Sequence, residues 1–194
     1  REQRLPGTLR APRLALHPAI PDCLYFRTDV GGAFRFDPAG ERWIPLLDSV
    51  AYPNRNYMGV DGIALAPSRP GRLAIAAGQL TDRTPSDVLW SDDHGATWRA
   101  TRLNRAFGGN LPHRMNGECL AFHPGNPDHL LAGTRNDGLF ETRDAGQSWR
   151  HLAGVPAGTP EIGIRCVLFA PDRLFVAVEG AGIFASADEG TNWT

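Results

Sequence analysis

Aspartates are the first residues in this chain whose spacing invites a chemical reading. Asp93, Asp144 and Asp188 sit in one shared pattern, S/T-x-D-x-G-x-x-W, running from Ser91 to Trp98, Thr142 to Trp149 and Ser186 to Trp193. A worn copy keeps Gly40 and Trp43 but has Pro38 where the Asp would stand. A carboxylate can act as an acid, a base or a metal ligand, and Asp92-Asp93 and Asp188-Glu189 suggest calcium. Neither copy continues into the ligand spacing of a calcium loop. Repetition favours a mechanical role: an Asp side chain accepts hydrogen bonds from nearby backbone N–H groups and fixes a tight turn. The Gly supplies a conformation closed to residues with a Cβ, and the Trp opens the returning strand with a large ring to bury.

Other chemistries leave little trace. The six His residues show no metal-ligand spacing, and no metal site is expected. There is no G-x-S-x-G elbow and no phosphate-binding glycine loop, so no cofactor is expected. Cys23, Cys119 and Cys166 are odd in number and widely spaced, which argues against a disulfide framework, and Cys119 and Cys166 lie inside apolar runs as buried thiols would. A net charge of −1 gives no basic excess and argues against nucleic acid as a partner. No apolar run reaches membrane-spanning length, so no membrane partner is expected.

The box must be positioned by a repeat. Its Trp recurs every 44 to 55 residues, and each repeat reads as four short strands. An apolar strand ends in Pro at Pro18, Pro67, Pro124 and Pro171. A second follows at Leu24–Phe26, Leu73–Ala76, Leu130–Ala132 and Leu174–Ala177. A third leads into the box, and the Trp starts the fourth. Four strands in roughly 40–50 residues is the period of a β-propeller blade. The expected fold is therefore all-β, built of four-stranded antiparallel blades with Asp-box turns. Blades are expected at approximately 8–50, 57–104, 114–153 and 160–194, the last incomplete, in a single partial domain over 1–194. The length suits one ordinary core, and the innermost strands are expected to be the most continuously apolar.

Antiparallel strands sort the loops onto two faces. Boxes and first-to-second turns share one face, short and stereotyped. The other face carries the variable loops: 28–33, 51–59, 79–86, 106–117 and 134–137. Function belongs there. On residue chemistry alone Asp29 reads as a turn residue before Gly31-Gly32. Tyr57 offers a flat ring for a sugar or for ordinary packing. Arg114, Asn116 and Glu118 either bond hydroxyls or tie their own loop together.

Several of these segments carry a resemblance. Thr28-Asp29-Val30-Gly31-Gly32-Ala33-Phe34-Arg35, then Arg42-Trp43-Ile44-Pro45-Leu46, resembles the N-terminal segment of glycoside hydrolase family 74, the xyloglucanases. The likeness continues through Asn56-Tyr57-Met58-Gly59-Val60, Gly108-Gly109-Asn110-Leu111-Pro112 and Arg114-Met115-Asn116-Gly117-Glu118. Other propellers carry the Asp box too, among them sialidases and sortilin-type receptors. The Thr28–Gly32 and Gly108–Pro112 segments are more specific.

The resemblance implies two seven-bladed propellers facing each other across a glucan-binding cleft, with inverting hydrolysis by one Asp from each. It implies that Asp29 is the general base, with the general acid on a second propeller outside this chain. It makes Tyr57, Met58, Arg114 and Asn116 substrate-binding candidates, and a polysaccharide or oligosaccharide the partner. An extracellular or periplasmic location follows from such a substrate; the chain begins with Arg1, so any signal peptide is expected upstream. Three departures lie at the substrate face. Met58 stands where the family usually has Trp, Cys119 where it usually has Arg, and the stretch from His151 to Ile164 is short. The competing reading is a non-catalytic Asp-box propeller that binds glycan or protein.

Overall fold

The computed structural model describes residues 13–114, 117–160 and 162–194. Its strands form four antiparallel sheets in strict chain order. The first contains β1 (Arg13–Leu16), β2 (Leu24–Arg27), β3 (Ala33–Asp37) and β4 (Arg42–Pro45). The second contains β5 (Val60–Leu65), β6 (Leu73–Ala77), β7 (Asp87–Ser91) and β8 (Arg99–Ala100). The third contains β9 (Leu120–Phe122), β10 (Leu130–Gly133), β11 (Leu139–Thr142) and β12 (Arg150–Leu152). The fourth contains β13 (Ile164–Phe169), β14 (Leu174–Val178) and β15 (Gly182–Ser186). Beyond β15 the chain folds back, and Thr194 exchanges two 2.9 Å hydrogen bonds with Ala185. The first strands of neighbouring sheets pack side by side, as the inner strands of successive blades do.

The boxes fold as one device in three copies. In each, the Ser or Thr hydroxyl donates to the Asp Oδ1 at 2.8 Å and accepts from the Gly amide two residues beyond the Asp. The residue four past the Asp donates its amide to Oδ1 and a side-chain hydrogen to Oδ2 (Thr97, Ser148, Asn192). These donors hold the carboxyls of Asp93, Asp144 and Asp188 at about 2. The residue before each Gly is also left-handed, with φ of 60°, 59° and 56° at His94, Ala145 and Glu189. His94 and Ala145 donate their amides to Gly71 and Asp128 in the first-to-second turns, so both turn types share a face.

Two expectations change. The single core is instead three clusters, each between adjacent sheets. A blade is one sheet thick, so each inward face can be covered only by the next sheet. Nor are the innermost strands the most continuously apolar. β6 of the second blade is apolar and buried throughout, whereas β5 and β13 carry Asp61 and Arg165 at β-bulges. A bulge leaves its extra residue outside the ladder, free to point at loops where charges find partners. Cys119 is buried and its thiol is pushed up to about 12 by burial; Cys166 is only partly covered. Leu14 and Leu16 on the first sheet, and Leu168 and Ile183 on the fourth, are exposed on the faces turned away from the neighbouring blade.

Candidate active site

The loop after β2 is built before its chemistry. The Thr28 amide and hydroxyl both donate to Gly32 O at 2.9 Å, and the Thr28 Oγ1 accepts from Gly31 N at 2.7 Å. Gly32 has φ of +81°, and a Cβ there would meet Leu47 Cβ at 3.3 Å, so this corner demands glycine. The loop Thr134–Gly138 repeats the same three bonds at 3.0, 2.8 and 3.0 Å. Asp29 and Arg135 therefore hold the same station in the first and third blades.

Asp29 is buried, with 11% of its side chain accessible. Its Oδ2 lies 3.5 Å from Arg114 Nη2. Its Oδ1 is buried and accepts no hydrogen bond from any of the described residues. A buried carboxylate oxygen ordinarily finds a donor; among the described residues Asp29 Oδ1 is the one buried carboxylate oxygen without a described donor.

Arg114 is in turn held in place. Arg27 is fully buried, and its two Nη groups donate to Arg114 O at 3.2 Å, with further bonds to Val60 O and Gly117 O. Its Nε meets Glu118 Oε1 at 3.1 Å, while Glu118 Oε2 accepts the Ile63 amide at 2.7 Å. Glu118 is thus a tie between the first three blades. Burial raises its carboxyl above the usual range despite Arg27. Arg114 also donates to Leu111 O.

The loops of this face are woven together. Gly32 N donates to Met58 O at 2.7 Å, Val60 N to Thr28 O, Gly78 N to Gly59 O and Gly109 N to Gly78 O. Residues Tyr52–Met58 form a 3-10 helix within the variable loop 51–59. Met58 comes beside the Asp29 loop: its methyl would lie 3.4 Å from a Cβ at Gly32. Tyr57 is half-buried and packs on the cluster between the first two blades. Burial raises its phenol, with a smaller push from Asp87. Asn116 lies outside the described residues.

Four charged residues that no sequence motif marks form the frame. Arg135 grips Asp61 bidentately at 2.6 and 2.7 Å, and Arg165 stands 3.4 Å away. Burial pushes the Asp61 carboxyl up, but Arg135, Arg165 and the Gly108 amide outweigh it and hold it at about 2. Arg27 completes the set. The available signal was charge inside an apolar strand, at Asp61 and Arg165, and Arg next to Thr at the end of a second strand. Among the described residues no cluster could hold a metal ion.

No family model matches the chain. It is 37% identical over 183 residues to the oligoxyloglucan reducing end-specific xyloglucanase of Emericella nidulans, which covers 91% of this chain and 22% of that protein. It is 41% identical over 149 residues to a xyloglucanase of Acetivibrio thermocellus, over 75% of this chain and 18% of that protein. The crystal structure of the family 74 xyloglucanase from Xanthomonas campestris superimposes with a TM-score of 0.87 at 32% identity, over 93% of this chain and 29% of that one. Over most of its length the chain matches a part of glycoside hydrolase family 74 proteins. It spans about a fifth of the length of the curated family members it matches.

Proposed function

We propose that this chain supplies one wall of a family 74 active site, in a secreted protein that cleaves xyloglucan or a related β-1,4-glucan with inversion. In this reading residues 1–194 form a single partial domain, part of a seven-bladed propeller, facing a second propeller that carries the general acid. The observation that carries it is the Asp29 carboxylate. It stands on the variable-loop face, oriented by Arg114, with Oδ1 unused by any described donor. Asp29 accepts a proton from water as the water oxygen attacks the anomeric carbon. The departing glycosidic oxygen takes a proton from the opposing acid. The gap of about 6.5–9.5 Å that inversion needs between the two carboxyls is one that two facing propellers can supply.

Arg114 borders Asp29 and Met58 borders its loop at Gly32, and both line the same cleft in this reading, with Tyr57 and Asn116 as further sugar contacts. The similarity of the chain to xyloglucanases over most of its length supports the substrate class.

The test is Asp29→Asn in the full-length protein. Asn keeps the shape and the turn but cannot take the proton, so turnover of xyloglucan should fall about 10²–10⁴-fold. Melting temperature and glycan affinity should stay close to wild type. A variant that retains most of its activity removes Asp29 from the mechanism. A wild-type protein that binds xyloglucan without cleaving it points instead to a non-catalytic glycan-binding propeller.

A further inference from the structure

Arg27 closes β2 two positions before Asp29, and its side chain has no accessible surface. A guanidinium carries five N–H groups, and all of them are spent here. Nε donates to Glu118 Oε1 at 3.1 Å, Nη1 to Val60 O at 3.1 Å and Arg114 O at 3.2 Å, and Nη2 to Arg114 O at 3.2 Å and Gly117 O at 3.3 Å. Val60 in turn donates its amide to Thr28 O at 3.1 Å. One side chain therefore fixes the start of β5, the segment that carries Arg114 and the loop that carries Asp29 relative to one another. Arg114 Nη2 then stands 3.5 Å from Asp29 Oδ2.

A sealed guanidinium needs a counter-charge, and Glu118 provides it. Facing Glu118 are Arg13 on β1, with Nε 3.5 Å from Oε1, Arg27 on β2, and the Ile63 amide on β5, which donates to Oε2 at 2.7 Å. Asp61 and Arg165 bear on the adjacent Cys119. The Glu118 side chain is 20% accessible, so a proton from solvent reaches it while Arg27 stays enclosed. Burial raises its carboxyl, so it takes up a proton before an ordinary carboxyl would as pH falls. Neutral Glu118 leaves a buried, uncompensated charge on Arg27 and replaces a charge-assisted bond with a weaker one.

We propose that Arg27 and Glu118 are a positioning pair for the base: they hold Arg114 against Asp29 only while Glu118 is ionised. This rests on Asp29 being the general base. Neither residue touches the reacting atoms; both act through Arg114.

The experiment measures kcat and KM on xyloglucan across pH for wild type, Arg13→Gln, Glu118→Gln, the double variant and Asp29→Asn, all in the full-length protein. Arg13 is exposed and outside the clamp, so Arg13→Gln should leave the melting temperature and the rate at pH 7 as in wild type. It removes a charge that favours ionised Glu118. The acid limb of kcat should therefore move to higher pH, with kcat at the middle of the wild-type limb lowered about twofold and KM unchanged. Glu118→Gln should lower kcat at pH 7 by about 10–100-fold, as a small misplacement of an orienting group does, with little change in KM. In the double variant Arg13→Gln should move the limb no further.

An acid limb that ignores Arg13→Gln, with Asp29→Asn inactive, overturns the pair and leaves the base standing. Wild-type kcat in Glu118→Gln does the same. A limb shift that persists in the double variant also overturns the pair, because Arg13 then acts on another group. If Glu118→Gln does not fold, the limb of Arg13→Gln decides alone. Activity retained by Asp29→Asn overturns the base and the pair with it.

Discussion

Asp29 and Asp61 show how environment assigns work to chemically identical side chains. Asp61 is fully consumed: two arginines and a backbone amide use both oxygens. Asp29 has one arginine at 3.5 Å and a buried oxygen without a described donor. The first is a strut; the second is the general base only in the function proposed above. Removing one partner of a buried pair leaves the other charge uncompensated. Asp61→Ala, which strands Arg135 and Arg165, should therefore cost about 3–5 kcal/mol. Urea unfolding of the full-length protein would measure it; a loss well below 1 kcal/mol would show that the arginines find new partners.

At the scale of the element, the Asp box is a turn with both central residues left-handed. Gly146 has φ of +78°, and a Cβ there would sit 2.7 Å from Thr101 Cγ2 on the preceding blade. Gly146→Val adds backbone strain to an overpacked contact and should destabilise by about 2–4 kcal/mol. A melting temperature equal to wild type would contradict it. The box carboxyls also set an acid limit. Their folded values of about 2 lie below the ordinary value of 3.8, so the unfolded chain binds protons more readily. Their contribution is intact above pH ~4 and is lost as pH falls from there through about 2. Stability measured across that window should fall more steeply in wild type than in a variant with Asp93, Asp144 and Asp188 all replaced by Asn.

At the scale of the whole molecule, blades are stacked units that share clusters with their neighbours. The internal faces are covered, while Leu14, Leu16, Leu168 and Ile183 lie open on the end sheets. Exposed apolar faces of this kind favour association. Residues 1–194 expressed alone should bind a hydrophobic dye and self-associate, and Leu168→Lys with Ile183→Lys should reduce both. Sedimentation of a well-behaved monomer that ignores the dye would refute this. The same piece should hydrolyse no xyloglucan, since it carries at most one of the two carboxyls that inversion requires; measurable release of sugar ends would contradict the division between propellers.

The four-strand rhythm and the boxes were legible in sequence because both are local. Strand period, Pro stops and a Ser-Asp-Gly-Trp turn act within about ten residues, and the second strands fall where Leu24, Leu73, Leu130 and Leu174 announce them. The loop face was legible as well, since antiparallel order fixes it. Pairing across blades was not. Arg27 reaches Glu118 over 91 positions, and Arg135 reaches Asp61 over 74. Nothing in either neighbourhood marks the partner. Glu118 read equally well as sugar ligand or as tie, and only the arrangement of blades decided for the tie. Tyr57 read as a sugar platform or as ordinary packing, and the tertiary structure sets it half-buried against the cluster between the first two blades. Short-range hydrogen bonding wrote the elements into the sequence; burial and charge pairing, which depend on chain segments distant in sequence, were decided by the tertiary structure.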